Sequence, residues 1–433
     1  MNRKKVDIIT LGCSKNLVDS ERLMKMLSDA GLETSHEPES TEPGDIVVIN
    51  TCGFIGDAKE ESINTILSYV DKKAHGEIDS LYVMGCLSQR YRNELPPEIP
   101  EVDGWFGKMD WSGIVKELVK KYPATAPYDR IITTPRHHAY LKIAEGCDRF
   151  CAFCAIPLIT GRYHSRPIEE IASEVKLLTG RGVKEFNVIA QDLSAYGKDL
   201  TSGKSRLAEL LKRLSDIKGV EWLRLHYAYP ADFPFDILPV MAERENICSY
   251  LDIALQHISD PVLKAMRRHV GKKETFELLQ RIRAEVPGIH IRTTLMTGFP
   301  GEGEKEFEEL MEFVRTQRFE RMGAFAYCEE EGTYAANHLT DSVPQEVKQA
   351  RLDRLMALQE EISLDIQQSK VDKTFKVIID REEGEHFVGR TQWDSPEVDP
   401  EVLVAKAPGI RRGEFYDVRI TEALPFELIG RLE

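Results

Sequence analysis

Tyr140-Leu-Lys-Ile-Ala-Glu-Gly-Cys147-Asp-Arg-Phe-Cys151-Ala-Phe-Cys154 places three thiols at C-x3-C-x2-C directly after a stretch that reads as a β-strand. Three thiolates in one short loop can bind three irons of a 4Fe-4S cluster and leave the fourth without a protein ligand, open to a small chelator. A structural zinc site wants four ligands, usually drawn as two separated C-x2-4-C pairs, and no second pair is present. A bacterial ferredoxin run has C-x2-C-x2-C spacing and fits equally poorly. The loop therefore reads as a cluster site at the carboxyl end of a strand, where α/β folds assemble ligand sites.

Around this loop, the candidate strands Tyr140 to Ala144, Glu185 to Ile189, Glu221 to Tyr227, Tyr250 to Leu255, His290 to Met296 and Glu320 to Tyr327 alternate with helical patterns. Ser165 with Pro167, Asp260-Pro261 and Gly301-Glu302 mark helix starts. The series predicts a partial (β/α)6 TIM-like barrel over residues 133–369, ending in one long amphipathic helix from Pro344 to Ser369 with Val347, Leu352, Leu355, Leu358 and Ile362 on its apolar side.

Residues 1–125 form a separate parallel α/β domain on this reading. Three short strands, Val6 to Leu11, Ile46 to Asn50 and Leu81 to Met84, are followed directly by Cys13, Cys52 and Cys86, with helical segments between. Singly, each cysteine reads as a small buried hydrophobe. Their shared position after consecutive parallel strands instead suggests a second three-thiol site with one open iron. A Pro-containing connector, Tyr122 to Pro135, separates the two domains, and residues 370–433 read as a small antiparallel β-barrel of OB-like size.

The chain carries 57 Lys or Arg and 72 Asp or Glu, net −15, which argues against phosphate-dominated binding. No apolar run approaches the roughly 20 residues of a spanning helix, and the basic start, Met1 to Lys5, leads into a segment too short and too interrupted for a secretory signal. A cytoplasmic chain is expected, and eight cysteines in a reducing compartment favour metal or redox use over disulfides.

Three stretches now carry a resemblance: Leu11-Gly-Cys-Ser-Lys-Asn-Leu-Val-Asp-Ser-Glu21, Ile143-Ala-Glu-Gly-Cys147 with its two partner cysteines, and a terminal domain similar to a TRAM module. Over nearly its whole length the chain resembles the radical S-adenosylmethionine (SAM) methylthiotransferases. Ala155-Ile-Pro-Leu-Ile-Thr-Gly-Arg162, Gln191-Asp-Leu-Ser-Ala-Tyr-Gly197, Leu255-Gln-His-Ile-Ser-Asp260 and Gly389-Arg-Thr-Gln-Trp-Asp-Ser-Pro-Glu-Val-Asp399 are similar to the branch that modifies an aspartate of the twelfth small-subunit ribosomal protein. Ala254 stands where that branch often has proline and Pro400 where glycine is usual; neither touches a cysteine.

The resemblance implies two 4Fe-4S clusters and two SAM molecules per product. Cys147, Cys151 and Cys154 would hold the cluster that binds SAM and passes it one electron, because the aspartate β-carbon is unactivated and a radical must abstract its hydrogen. Cys13, Cys52 and Cys86 would hold the cluster whose open iron carries sulfur. An electron donor such as flavodoxin or ferredoxin is implied as a partner.

Phe153 is a candidate neighbour of the adenine, Gln191 and Asp192 of the SAM amino group or ribose, and Gly298 and Gly301 of SAM through close backbone approach. Arg136-His-His138 and Arg267-Arg-His269 read as solvated basic runs, and Cys248 and Cys328 as inert thiols. The rival substrate is adenosine in transfer RNA, but residues 370–433 hold 10 basic and 14 acidic residues, net −4, where an RNA-gripping module should be basic. Two other readings are a non-catalytic iron-sulfur carrier, which predicts no SAM cleavage, and an RNA-binding protein, which predicts strongly salt-dependent affinity.

Overall fold

The computed structural model describes residues 4–38, 44–119, 126 and 128–433. The start Met1 to Lys5 and the connector Tyr122 to Pro135 lie partly outside the described residues. Two units emerge: Met1–Thr134 with Glu145–Asp148 and Cys154–Tyr163, and Pro135–Ala144 with Arg149–Phe153 and His164–Glu433. Among the described residues no helix is long and apolar enough to cross a membrane.

In the first unit β1 (Lys5–Thr10), β2 (Glu33–His36), β3 (Ile46–Thr51), β4 (Ser80–Gly85) and β5 (Gly104–Trp105) form a parallel sheet in the order β2-β1-β3-β4-β5. Helix α1 (Ser14–Asp29) follows β1, α2 (Gly56–Ala74) follows β3, and α3 (Cys86–Arg90) follows β4. Both faces of the sheet are buried, as parallel sheets require: Ile46 and Val48 pack with Val6, Ile8 and Leu27, and Val47 and Ile49 pack with Ile66, Leu81 and Val83. The polar Glu33-Thr-Ser-His36 has no counterpart among the expected strands because it is an edge, with no buried residue to give it a hydrophobic pattern.

In the second unit β6 (His138–Lys142), β7 (Glu185–Ile189), β8 (Trp222–Ala228), β9 (Ile247–Ile253), β10 (His290–Thr297) and β11 (Arg321–Ala326) pair in sequence order, all parallel. The first and last strands are the two edges of the sheet, so the expected partial barrel stays open. A short helix, α4 (Asp260–Ala265), lies between β9 and β10 in the chain. The terminal residues form a closed barrel of β12 (Thr374–Glu383), β13 (His386–Arg390), β14 (Glu401–Ala405), β15 (Phe415–Ala423) and β16 (Glu427–Leu432). One expectation needs correction: β14 and β16 pair in parallel, so this barrel is not wholly antiparallel. Strand β16 contains Gly430, whose missing side chain admits Val418 and Arg419 and weakens the strand signal in the sequence.

The last residue of β13 and the loop between β13 and β14 together reach every strand of the open sheet, in the amino-terminal half or at the middle of each. Tyr140 on β6 donates to Glu397 (3.2 Å), and Glu185 on β7 receives Arg390 (2.7 Å). Arg224 on β8 donates to the carbonyls of Thr391 and Gln392, and Tyr250 on β9 donates to Asp399 (2.8 Å). On β10 His290 stacks on Trp393 at 4.6 Å and Arg292 meets Asp399, and on β11 Arg321 pairs with Asp394. The loop thus plugs the lower mouth of the sheet with charge-matched contacts and leaves the carboxyl ends of the strands to the candidate site.

The long helix, α5 (Gln345–Gln368), corrects a second expectation. Leu355 and Ile362 are buried as expected, but Val347 is exposed and the rest of the buried stripe is Lys348, Arg351, Gln359, Ser363 and Gln367. These polar side chains satisfy loop carbonyls and carboxylates: Lys348 donates to the Tyr327 carbonyl (3.2 Å), Arg351 to Glu302 (2.8 Å) and Gln359 to the Phe319 carbonyl (2.9 Å).

Candidate functional site

The three cysteine loops of the first unit touch one another. Gly12 has φ +90°, and a Cβ there would stand 2.7 Å from Cys52 Cβ and 2.8 Å from its Sγ. A Cβ on Gly53 would stand 2.7 Å from the Leu87 backbone, beside Cys86. Asn16 closes the set: its Nδ2 donates to the Leu11 (2.9 Å) and Thr51 (3.1 Å) carbonyls, and its Oδ1 lies 3.7 Å from Cys86 Sγ. Asn50 in turn donates to the Asn16 carbonyl (2.9 Å) and Ser20 (3.0 Å), and Ser62 brackets the Cys52 backbone through both its N–H and its carbonyl. Glu21, the last residue of the sequence motif around Cys13, anchors α1 by pairing with Arg130 and accepting from Thr133.

Cys13 is exposed, whereas Cys52 and Cys86 are buried. Desolvation pushes the Cys86 thiol up to about 12 and raises that of Cys52. At Cys13 desolvation is outweighed by Lys15, Lys108 and two backbone N–H groups, which bring the thiol below its ordinary value. Lys108 is itself buried; Glu145 at 3.0 Å, together with Cys86, Asp19 and Cys13, overcomes its desolvation and holds it cationic. A buried cation among three thiols favours anions bound in their midst.

Replacing Gly12 by alanine is therefore expected to disturb this arrangement locally. The clash with Cys52 and the positive φ together should cost on the order of 1–3 kcal/mol and lower iron uptake by this loop set. Gly31→Ala, also at positive φ (+93°) but with nothing within 4 Å among the described residues, is the control for backbone strain alone. Iron content and thermal unfolding of the two variants measure the difference, and equal iron in both would show that close approach at Cys52 is irrelevant.

The C-x3-C-x2-C loop follows β6 and is held from both of its ends. In the first unit the Cys147 N–H donates to the Gly161 carbonyl (3.2 Å), and Gly146, at φ +85°, admits the Arg162 carbonyl where a Cβ could not fit. In the second unit the Ala152 N–H donates to the Met266 carbonyl (2.9 Å) and the Ala335 N–H to the Ala152 carbonyl (2.7 Å). Cys151 Sγ lies 3.4 Å from an Arg268 guanidinium nitrogen and 3.7 Å from the Tyr229 hydroxyl. Arg268 and Arg149 both face the Tyr229 ring, at 4.0 and 4.2 Å.

Asp192 is buried at the end of β7. One of its oxygens accepts from Arg149 Nε (2.6 Å), and the other, Oδ1, is buried with no hydrogen-bond partner among the described residues. Desolvation raises its pKa against the pull of Arg149. Among the described residues the buried Arg149 Nη2 likewise has no hydrogen-bond partner, nor has Oε1 of Gln256, which is held at φ +71° after β9. Such polar atoms at the carboxyl ends of the strands are the features a polar cofactor would satisfy.

The other sequence candidates divide. Phe153 packs edge-on against Phe299 at 6.2 Å, and Gln191 is half-buried beside Asp192. Gly298, at φ +73°, makes room for the Lys348 side chain, while Gly301, at φ +93°, has open space around it. Cys248 is fully buried, its thiol raised to about 12 by desolvation, and Cys328 is exposed. The basic runs are not wholly solvated: His137 and His138 are buried, His137 meets Asp380 at 2.7 Å, and Arg268 reaches Cys151. Sequence reasoning missed Arg149, Tyr229, Arg268 and Gln256 as site residues; of these only Arg149 carries a local signal, its place inside the cysteine motif.

Among the described residues no three His, Cys, Asp or Glu side chains close on a single ion. A cubane, whose cysteines stand on three different irons, requires no such convergence.

Comparison with known proteins agrees with this layout. The uncharacterized protein family UPF0004 matches residues 5–107, the radical SAM superfamily residues 141–314 and the TRAM domain residues 371–432. The ribosomal protein uS12 methylthiotransferase RimO of Parabacteroides distasonis is 58% identical over 432 residues, the full length of both chains. That of Flavobacterium johnsoniae is 52% identical over 99% of this chain and 98% of its own. Among solved structures, the radical SAM methyltransferase TsrM of Kitasatospora setae aligns with a TM-score of 0.54 at 14% identity, over 74% of this chain and 72% of that one, which speaks to fold alone. The chain belongs to the RimO family of methylthiotransferases, enzymes of the radical SAM superfamily that implies SAM and a 4Fe-4S cluster.

Proposed function

We propose that this chain adds a methylthio group to the β-carbon of an aspartate in ribosomal protein uS12, in the cytoplasm, using two 4Fe-4S clusters and SAM. The observation that carries the reading is the meeting of the Gly12-Cys13, Cys52-Gly53 and Cys86 loops, which supplies a second thiol triad beyond the one in the C-x3-C-x2-C loop. On this reading residues 1–125 hold the sulfur-carrying cluster through Cys13, Cys52 and Cys86. Residues 133–369 hold the SAM-binding cluster through Cys147, Cys151 and Cys154, and residues 370–433 form the TRAM module.

When bound, the SAM-binding cluster and SAM supply the one-electron chemistry that an unactivated carbon demands. The chain's own residues prepare the site for it. Arg268 and Tyr229 flank the Cys151 sulfur and fix its position. Asp192 Oδ1 and Gln256 Oε1 are acceptors for the cationic and hydroxyl groups of SAM, with Arg149 fixing the carboxylate of Asp192. Lys108 and Lys15 offset the negative charge gathered at Cys13, Cys52 and Cys86.

The test is anaerobic incubation of reconstituted protein with SAM, a reductant, sulfide and either small ribosomal subunits or transfer RNA. Mass spectrometry should find the methylthio mass on one uS12 aspartate and none on RNA. Modification of RNA alone would overturn the substrate assignment.

A further inference from the structure

Helix α4 ends beside the cysteine loop, and the turn after it gathers positive charge on an otherwise acidic chain. Lys264, Arg267 and His269 are exposed around a shallow hollow of about 580 Å³. Among the described residues neither Lys264 nor Arg267 meets a carboxylate, in a chain of net charge −15. The two acids on the hollow are already engaged: Asp260 accepts from the Lys272 N–H (2.7 Å) and Glu274 from the Gly271 N–H (3.1 Å). Arg267 occupies the left-handed position after the helix, φ +56°, where glycine is usual, and its guanidinium lies 4.6 Å from the ring of Tyr334, which is 41% exposed.

This surface connects directly to a cluster thiol. Arg267 follows Met266, whose carbonyl accepts from the Ala152 N–H, and Tyr334 precedes Ala335, whose N–H donates to the Ala152 carbonyl; Ala152 is the neighbour of Cys151. Arg268, one residue further, is buried against Cys151 Sγ. Two cations without a carboxylate partner among the described residues, and an exposed aromatic ring, thus mark a short covalent and hydrogen-bonded route from solvent to the thiol. A basic ribosomal protein would be repelled here.

We propose that Lys264, Arg267 and Tyr334 form the docking surface for a small acidic electron-carrier protein. The inference rests on the radical SAM reading above and deepens it. Cys147, Cys151 and Cys154 would hold the cluster that takes up the electron: a docked carrier's reduced centre would give up one electron and be oxidised, the cluster would be reduced by that electron, and no atom would change place. The exposed acids Glu329 and Glu331, just before Tyr334, repel the same partner and so restrict its orientation.

The experiment compares the reconstituted full chain with its Lys264→Glu/Arg267→Glu variant. Calorimetric titration with oxidised flavodoxin should show binding that weakens with salt, and about tenfold or more weaker binding for the variant. SAM cleavage driven by flavodoxin should fall by a similar factor, while cleavage driven by dithionite, which needs no docking, should be unchanged. Flavodoxin that fails to bind the parent chain, equal affinities for parent and variant, or loss of affinity for ribosomal subunits in place of flavodoxin would each overturn the docking proposal. Absence of dithionite-driven cleavage in the parent would instead defeat the radical SAM reading, so the two failures are distinguishable. A Lys264→Gln/Arg267→Gln variant, expected to weaken binding less, guards against misfolding caused by charge reversal.

Discussion

With Cys13, Cys52 and Cys86 all changed to alanine, the reconstituted protein is expected to hold about four irons per chain where its parent holds about eight. The variant should still cleave SAM to 5'-deoxyadenosine, because Cys147, Cys151 and Cys154 lie on a different loop, with their own supports at Gly161, Met266 and Ala335. It should form no methylthio product, a loss of at least about a thousandfold against the parent, since no remaining site would hold sulfur. Cys151→Ala should behave oppositely in one respect: SAM cleavage and product formation should vanish together. Iron and sulfide analysis, deoxyadenosine yield and mass spectrometry of uS12 separate the outcomes. Retention of about eight irons in the triple variant would mean that the three loops of the first unit meet for some other reason. The fit argued from Gly12 and Gly53 would then describe packing only.

How much of the fold and site is legible in the sequence depends on whether a feature leaves a local or periodic trace. The C-x3-C-x2-C loop is local, and strand β7 is readable at its observed bounds, Glu185–Ile189, because Phe186, Val188 and Ile189 fall in a short run of strand length. Cys13, Cys52 and Cys86 are legible through topology, since parallel strands send their carboxyl ends to one edge. The polar stripe of α5 is not, because apolar periodicity cannot reveal a helix face that buries Lys348, Arg351 and Gln359 to satisfy loop groups. Nor is the plug at the lower mouth of the open sheet. Charged residues on strands carry no sign of burial, and only the arrival of residues some 70 to 200 positions later, Arg390, Asp394 and Asp399, explains why Glu185, Arg224 and Arg321 are buried and Arg292 is half-buried. Asp192 stands out in the sequence without its partner Arg149, which lies 43 residues away.

That plug yields the second large effect. Arg390→Ala is expected to destabilise the second unit by about 3–5 kcal/mol, because it strips one partner from a buried network of charges. Arg390 donates to Glu185 through two nitrogens (3.0 and 2.7 Å) and to Asp380 through two (2.6 and 2.9 Å), and Glu185 also receives Arg224 (3.1 Å). Desolvation would raise the Glu185 carboxyl, but Arg390 and Arg224 bring it down to about 2, and Arg390 and His137 hold Asp380 well below the usual carboxylate range. Both carboxylates are depressed on folding, so their stabilising contribution is complete above the unfolded-state values near 4. It declines as pH falls from there, through about 2 for Glu185 and further down for Asp380, whose folded value lies lower still. The parent should therefore lose stability over that acid window, and Arg390→Ala should show a flatter dependence there because much of the contribution is already missing. Two tryptophans report on the joint: Trp222 sits 4.8 Å from Phe415 and Trp393 stacks on His290. Denaturant titration followed by their fluorescence should give an earlier midpoint in Arg390→Ala, with Arg390→Lys intermediate because an ammonium cannot engage two carboxylates through paired planar donors. A shift of less than about 1 kcal/mol would mean that Arg224 and His137 alone neutralise the two acids, and that the plug is held by Trp393, Asp394 and Asp399 instead.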